Sequence, residues 1–202
     1  MIAVRDLEFS YRVGDFSLQV PELEVGAGES VALVGPSGCG KTTLINLLAG
    51  IQEAEEGTVE VAGLDMARLG PEDHQDLRIL KLGLVFQEFE LLEYLDVHEN
   101  VLLPYRLTSL LVLDDETRAR AESLLEDLGL GDKLARFPAQ LSQGERQRVA
   151  LSRALVTQPA VVLGDEPTGN LDPENRDHVI DALLDYGRAN AAPVVIVTHD
   201  HD

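Results

Sequence analysis

The chain has 202 residues, 45% of them hydrophobic, which suits one well-packed core carrying a smaller subdomain. Its 36 acidic against 16 basic side chains give a net charge of −20, which argues against a sequence-independent grip on DNA or RNA and against adhesion to anionic lipid through a basic patch. The single cysteine, Cys39, excludes a disulfide within the chain and a zinc cluster of several thiolates.

The opening MIAVRDLEFSY lacks the basic and apolar regions of a signal peptide, and no apolar run approaches the ~20 residues of a membrane span, so a cytoplasmic location is expected. Up to Gly35 short apolar runs alternate with turns, as in DFSLQVPELEVGAGES, which predicts an antiparallel β-subdomain; GTVEVAG at 57–63 reads as another of its strands. Residues 30–34, SVALV, form an apolar run suited to a buried parallel strand. Residues 42–48 continue with Leu44, Leu47 and Leu48 at helical spacing.

Between that strand and that helix, Gly35, Pro36, Ser37, Gly38, Cys39, Gly40, Lys41 and Thr42 spell G-x-x-x-x-G-K-T, with Thr43 following. Glycines let backbone N–H groups wrap phosphates at a helix N-terminus, where the peptide dipoles favour an anion. Lys41 is placed to reach β- and γ-phosphates, and the Thr42 hydroxyl to ligate Mg²⁺. ATP and Mg²⁺ are therefore the expected ligands. Cys39 sits inside this cradle beside Lys41, so its alkylation is expected to compete with ATP.

Later in the chain, residues 116–128 carry Ala121, Leu124, Leu125 and Leu128 on one helical face, with Asp114 and Asp115 as cap candidates. At Leu141 the chain reads LSQGERQRVALSRAL, where Ser142 and Glu145 form a capping box. Gly144 stands in that first turn, where glycine costs helix stability relative to alanine. AVVLGDEP at 160–167 reads as a second buried strand, ending in Asp165 and Glu166. Open α/β sheets bind ligands at the carboxyl ends of their strands, so Asp165 suits the Mg²⁺ shell and Glu166 suits polarisation of an attacking water. Asp172 caps a helix from Pro173 with Val179, Ile180, Leu183 and Leu184 as its stripe, and PVVIVTH at 193–199 is a third such strand, ending at His199.

With these motifs in this order the sequence resembles the ATP-binding cassette (ABC) ATPases, essentially end to end. LSQGE looks like the family signature, with Gln143 where the first of two glycines usually stands. Gln87, after LGLVF, matches the glutamine that in relatives touches Mg²⁺; Asn170, Leu171 and Asp172 match the D-loop; His199 matches the switch histidine; and Tyr11 stands where an aromatic stacks on adenine. The resemblance implies an α/β fold of P-loop type: a mainly parallel core with an antiparallel β-subdomain over 1–86 and 161–202, and a helical, signature-bearing subdomain over 87–160. Catalysis would fall to Glu166, His199, Lys41 and Gln87, and the metal to Thr42, Gln87 and Asp165.

The resemblance also implies partners. Two copies, or one copy and a second ABC ATPase subunit, would pack head to tail, Ser142, Gln143, Gly144 and Glu145 of each facing the nucleotide of the other. Gln143 puts a side chain at a close-approach position and is expected to weaken closure. An integral membrane permease would hold the pair on the cytoplasmic face of the inner membrane, with no nucleic acid bound. The stretch 86–107, rich in Phe89, Leu91, Leu92, Tyr94 and Leu95, is a candidate partner surface. Its neighbours in kind are the lipoprotein-release, macrolide-export and cell-division branch; a nucleotide-gated structural switch in a division or envelope complex is one alternative. A soluble DNA-repair type is another, disfavoured by the acid surface and by the compact segment between cradle and signature, which lacks the long heptad arms of those relatives. Relatives usually run on past the switch histidine through a helix and edge strands, so the strand at 194–197 is expected to be less covered here.

Overall fold

Two four-stranded sheets, one antiparallel and one parallel, enclose a short helix in the computed structural model, which describes every residue except Arg12, Asp15, Asn170, Asp200, His201 and Asp202. In chain order the elements are β1 (Ile2–Ser10), β2 (Ser17–Val25), β3 (Ser30–Val34), α1 (Lys41–Leu48), β4 (Glu56–Val61), β5 (Leu64–Asp65), α2 (Pro71–Leu80), β6 (Leu82–Val85), α3 (Val97–Val101), α4 (Pro104–Leu107), α5 (Asp115–Asp127), α6 (Gln143–Leu155), β7 (Val161–Asp165), α7 (Pro173–Asn190) and β8 (Val194–Thr198).

The antiparallel sheet runs β2-β1-β4-β5, with Ile2 opposite Val25 on one side and Val61 on the other. Along β1, Ile2, Val4, Leu7 and Phe9 are buried while Arg5 and Glu8 face outward. The alternation slips at Asp6, where φ is +47° and the register against β4 shifts, the mark of a bulge.

The parallel sheet runs β3-β8-β7-β6. Successive residues of β7 and β8 serve opposite faces: Val161, Leu163, Val195 and Val197 pack towards α1, whereas Val162, Val194 and Ile196 pack beneath α6 and α7. That two-sided burial is why both strands read as unbroken apolar runs. The expectation for 30–34 and 194–197 is corrected by this strand order. β8 pairs with β3 on one side and β7 on the other and is buried from Val194 to Val197, so the thinner cover falls on β3, the edge strand, whose Val34 is 46% exposed.

An isolated helix of eight residues is unstable in water. α1 holds because Leu44, Ile45, Leu47 and Leu48 are buried between the sheets, each worth about 1.5–3 kcal/mol. A separate apolar cluster, including Val97, Val101, Leu125 and Val149, joins α3, α5 and α6. The predicted helix over 116–128 is α5, with Asp114 accepting the Thr117 N–H at 2.8 Å. The helix predicted from Pro173 is α7, with Asp172 accepting the Asn175 N–H at 3.1 Å and Val179 and Leu183 fully buried. Among the described residues no helix is long and apolar enough to cross a membrane. The carboxyl ends of the parallel strands, Val34, Val85, Asp165 and Thr198, share one edge of the sheet.

Candidate active site

The loop from β3 to α1 lies at that edge. Pro36, Ser37, Gly38 and Cys39 are exposed, and Gly40, at φ +100°, caps α1 with no side-chain hydrogen bond. A Cβ at Gly40 would stand 2.9 Å from the ring of Phe16 and 3.1 Å from Leu18 Cδ1, so the start of β2 and the residue before it approach the loop closely. Lys41 Nζ donates to the carbonyls of Gly35 (2.7 Å) and Pro36 (3.0 Å), which curls the ammonium over the loop. Thr43 is buried, and its hydroxyl is 3.2 Å from the Tyr11 hydroxyl. Tyr11 itself packs edge-on to Phe9, ring centres 4.9 Å apart, and against Phe16, with 40% of its surface open beside the loop.

Thr42 Oγ1 donates to Asp165 Oδ1 at 3.1 Å across 123 residues of chain. Burial pushes the Asp165 carboxyl above its ordinary value, and neighbouring Glu166 adds to this; the Thr42 hydroxyl and Lys41 act the other way. A hydroxyl and a desolvated carboxylate meeting at a strand end are the hard oxygen donors that Mg²⁺ takes, so the residues present fit that ion.

Glu166 follows at φ +48°, a region that non-glycine residues rarely occupy, held by its N–H to Val197 O at 2.9 Å. The turn aims its carboxylate at His199, Oε2 to Nδ1 2.9 Å. The Glu166 side chain is 17% exposed and that of His199 45%, so the carboxylate is sheltered behind an open imidazole. Gln87, two residues past β6, approaches the same place: a Cβ built on Gly169 would be 3.4 Å from Glu166 Oε2 and 3.7 Å from Gln87 Nε2. Residues from four strand ends thus converge at the α1 N-terminus.

The signature residues stand apart from this cluster. Ser142 Oγ accepts the Glu145 N–H at 3.3 Å, and Glu145 Oε2 accepts the Ser142 N–H at 2.7 Å. Glu145 also pairs with Lys133 at 3.2 Å. The Ser142 N–H first, then Lys133, hold its carboxyl below the ordinary glutamate value against the opposing effect of burial. Ser142 and Gln143 are exposed while Gly144 is buried. Among the described residues no hydrogen bond joins Ser142, Gln143, Gly144 or Glu145 to the cradle. In the D-loop, Leu171 donates its N–H to Thr168 O at 3.1 Å and Asp172 caps α7; Asn170 lies outside the described residues.

Sequence reading overlooked several contributors. Phe16 shapes the cradle from beneath, but only its aromatic character hinted at it. Arg153 of α6 donates to the carbonyls of Glu90 and Phe89, the latter at 2.8 Å, and so ties the signature helix to the segment after Gln87. Asn100, fully buried, bonds the carbonyls of Leu92, Leu95 and Asp96 and the N–H of Leu92. That network pins the middle of the 86–107 stretch, where Tyr94 stays 74% exposed, and an apolar groove of about 410 Å³ is lined by its two ends, Phe86, Leu103, Pro104 and Leu107, with Ile79 and Leu82.

The family profile described as "ABC transporter" matches residues 18–169. The lipoprotein-releasing system ATP-binding protein LolD of Pseudomonas fluorescens is 42% identical over 99% of this chain and 88% of its own length. The macrolide export ATP-binding/permease protein MacB of Syntrophobacter fumaroxidans is 38% identical over 99% of this chain but 28% of its own length. Among solved structures, the dimeric ATP-binding cassette MJ0796 in a post-hydrolysis state bound to ADP and Pi superposes with a TM-score of 0.87 at 32% identity, over 99% of this chain and 88% of that one. With a profile match over more than half its length and relatives of this identity, the chain belongs to the ABC transporter family, as one of its ATP-binding, ATP-hydrolysing subunits.

Proposed function

We propose that two copies of this chain close head to tail on ATP, and that hydrolysis in this pair drives a membrane permease. The observation that carries the chemistry is the convergence of Thr42 with Asp165 and of Glu166 with His199 beside the uncapped N-terminus of α1. Tyr11 takes the adenine face. The loop N–H groups and Lys41, released from its two carbonyls, take the β- and γ-phosphates. Mg²⁺ held by Thr42 and Asp165, with Gln87 nearby, neutralises phosphate charge when bound. Glu166 accepts a hydrogen bond from the attacking water and His199 holds that carboxylate in line; the water oxygen bonds the γ-phosphorus as the bond to the β-bridging oxygen breaks, leaving ADP and phosphate.

Each Ser142 hydroxyl and Gly144 N–H is offered to the partner's γ-phosphate, which makes closure depend on the triphosphate. The permease seats a cytoplasmic segment in the groove between Phe86, Ile79 and Leu107, and this holds the pair at the cytoplasmic face of the inner membrane. The work it powers is lipoprotein release, or efflux of small molecules or peptides; the names of relatives, a lipoprotein-releasing system and a macrolide exporter, favour the first and the small-molecule form of the second. Glu166→Gln should lower turnover on the order of 10²–10⁴-fold and trap an ATP-bound pair visible by size-exclusion chromatography. Two copies of −20 repel, so the pair should tighten as salt rises. A strictly monomeric Glu166→Gln protein under Mg-ATP at every salt concentration refutes the proposal.

A further inference from the structure

The N-terminal turn of α6 is seated on the N-terminal turn of α7. Gly144 is buried, and a Cβ added to it would stand 2.6 Å from Asn175 Cγ, 2.7 Å from Oδ1 and 3.0 Å from Nδ2. Contacts of that length are repulsive, so alanine at 144 requires Asn175 to move. Asn175 is fastened at three points. Its backbone N–H donates to Asp172 Oδ1 at 3.1 Å, its Nδ2 donates to Asp172 Oδ2 at 2.6 Å, and its Oδ1 accepts from Arg148 Nη1. Arg148 lies four residues after Gly144, on the same face of α6. One carboxamide therefore meets α6 twice, at a bare α-carbon and at a guanidinium, and meets the end of the D-loop with its other arm. Only an amide serves both sides: a carboxylate at 175 would set like charge against Asp172, and an apolar side chain would leave Arg148 without this acceptor.

We infer that Asn175 is a positioning residue that locks the signature turn to Asp172, the end of the D-loop, in one register, so that both are presented together to a second copy. The inference rests on the two-copy reading above. It also assigns the bare backbone at 144 a cause within the chain, in addition to any approach of the partner's nucleotide.

Steady-state ATP turnover of Gly144→Ala, Asn175→Ala and the double variant tests it, with thermal unfolding of each. Gly144→Ala should lower kcat by about 10²-fold, the scale of a misplacement of about 1 Å, with the KM for ATP held within about twofold because the cradle is on α1. Asn175→Ala should lower kcat by about tenfold, and the double variant should return to that level, since the shorter side chain makes room. A double variant as slow as Gly144→Ala alone overturns the inference, because the added methyl then offends something other than Asn175. If Gly144→Ala fails to fold, a double variant that folds with the Asn175→Ala rate supports the inference, and one that fails to fold overturns it. Turnover per protomer measured against protein concentration separates the two failures: a parent enzyme indifferent to concentration sinks the two-copy reading, and with it presentation to a second copy, even where rescue shows Asn175 and Gly144 in contact.

Discussion

Two helix N-termini in this molecule are finished in opposite ways. The first N–H groups of a helix lack internal partners, and the dipole leaves about half a positive charge there. At α6 the chain meets that need itself: Ser142 and Glu145 satisfy one another's N–H groups, and Glu145 sits in the first turn, paired with Lys133. At α1 nothing of the kind is present: Gly40 makes no side-chain cap and the first turn carries no acid, only Lys41. Such an end is open to an anion from outside the chain, the role proposed for it above. The α6 end keeps its shape unaided and can offer only what the capping box leaves over, the Ser142 hydroxyl and the N–H groups of Gln143 and Gly144. One terminus leaves its donors open within the protomer; the other is closed by its own side chains, and the use proposed for it requires a second copy.

The sharpest way to break this contrast is to remove the charge at α1. Lys41→Ala should abolish tight ATP binding and lower turnover on the order of 10³-fold, read by calorimetry and phosphate release. Near-normal binding in that variant would mean that the open N-terminus is not the phosphate site. Asp165→Asn sharpens the contrast from another side. A carboxyl raised in the fold subtracts stability once pH rises above its unfolded value, and does so fully above its folded one. The amide should therefore unfold at a higher temperature at pH 7, with the gain shrinking towards pH 4, while Mg²⁺-supported turnover drops on the order of 10²-fold. Loss of stability together with loss of activity would make Asp165 a structural carboxylate.

How much of this was legible in the letters follows from how each contact is built. The cradle is contiguous, Gly35 to Thr42, so its chemistry is written in one line. Asp165, Glu166 and His199 were readable because two-sided burial writes β7 and β8 as unbroken apolar runs that end at polar residues. Strand order was not, since SVALV and VVIVT carry the same pattern although one is an edge and the other central. Periodicity gave α7 its buried stripe and the capping box gave α6 its start, but neither gave the crossing that puts Asn175 against Gly144. Nor did it show that Arg153 would reach carbonyls 63 and 64 residues away, or that burial would push its guanidinium below the usual arginine value.

The smallest effect belongs to the self-capped end. The Glu145 carboxyl is held below its ordinary value, chiefly by the Ser142 N–H and next by Lys133. A depressed folded value means that the carboxylate adds stability above the unfolded value near 4.5, and that this stability is lost as pH falls through the folded value. Glu145→Ala should cost about 1 kcal/mol at pH 7, as other lost caps do. In a chain of this size that is about 2–4 °C in Tm. Glu145→Gln should cost less, because the amide oxygen can still accept the Ser142 N–H while only the charge facing the helix dipole and Lys133 is gone; Lys133 retains Asp132 at 3.2 Å. Urea unfolding of the three proteins at dilute concentration, from pH 7 down past 4.5, should show the glutamate-to-glutamine gap closing at the acid end. A gap that stays constant with pH would mean that Glu145 holds the turn by shape alone, and the α6 terminus would then be as uncompensated in charge as that of α1.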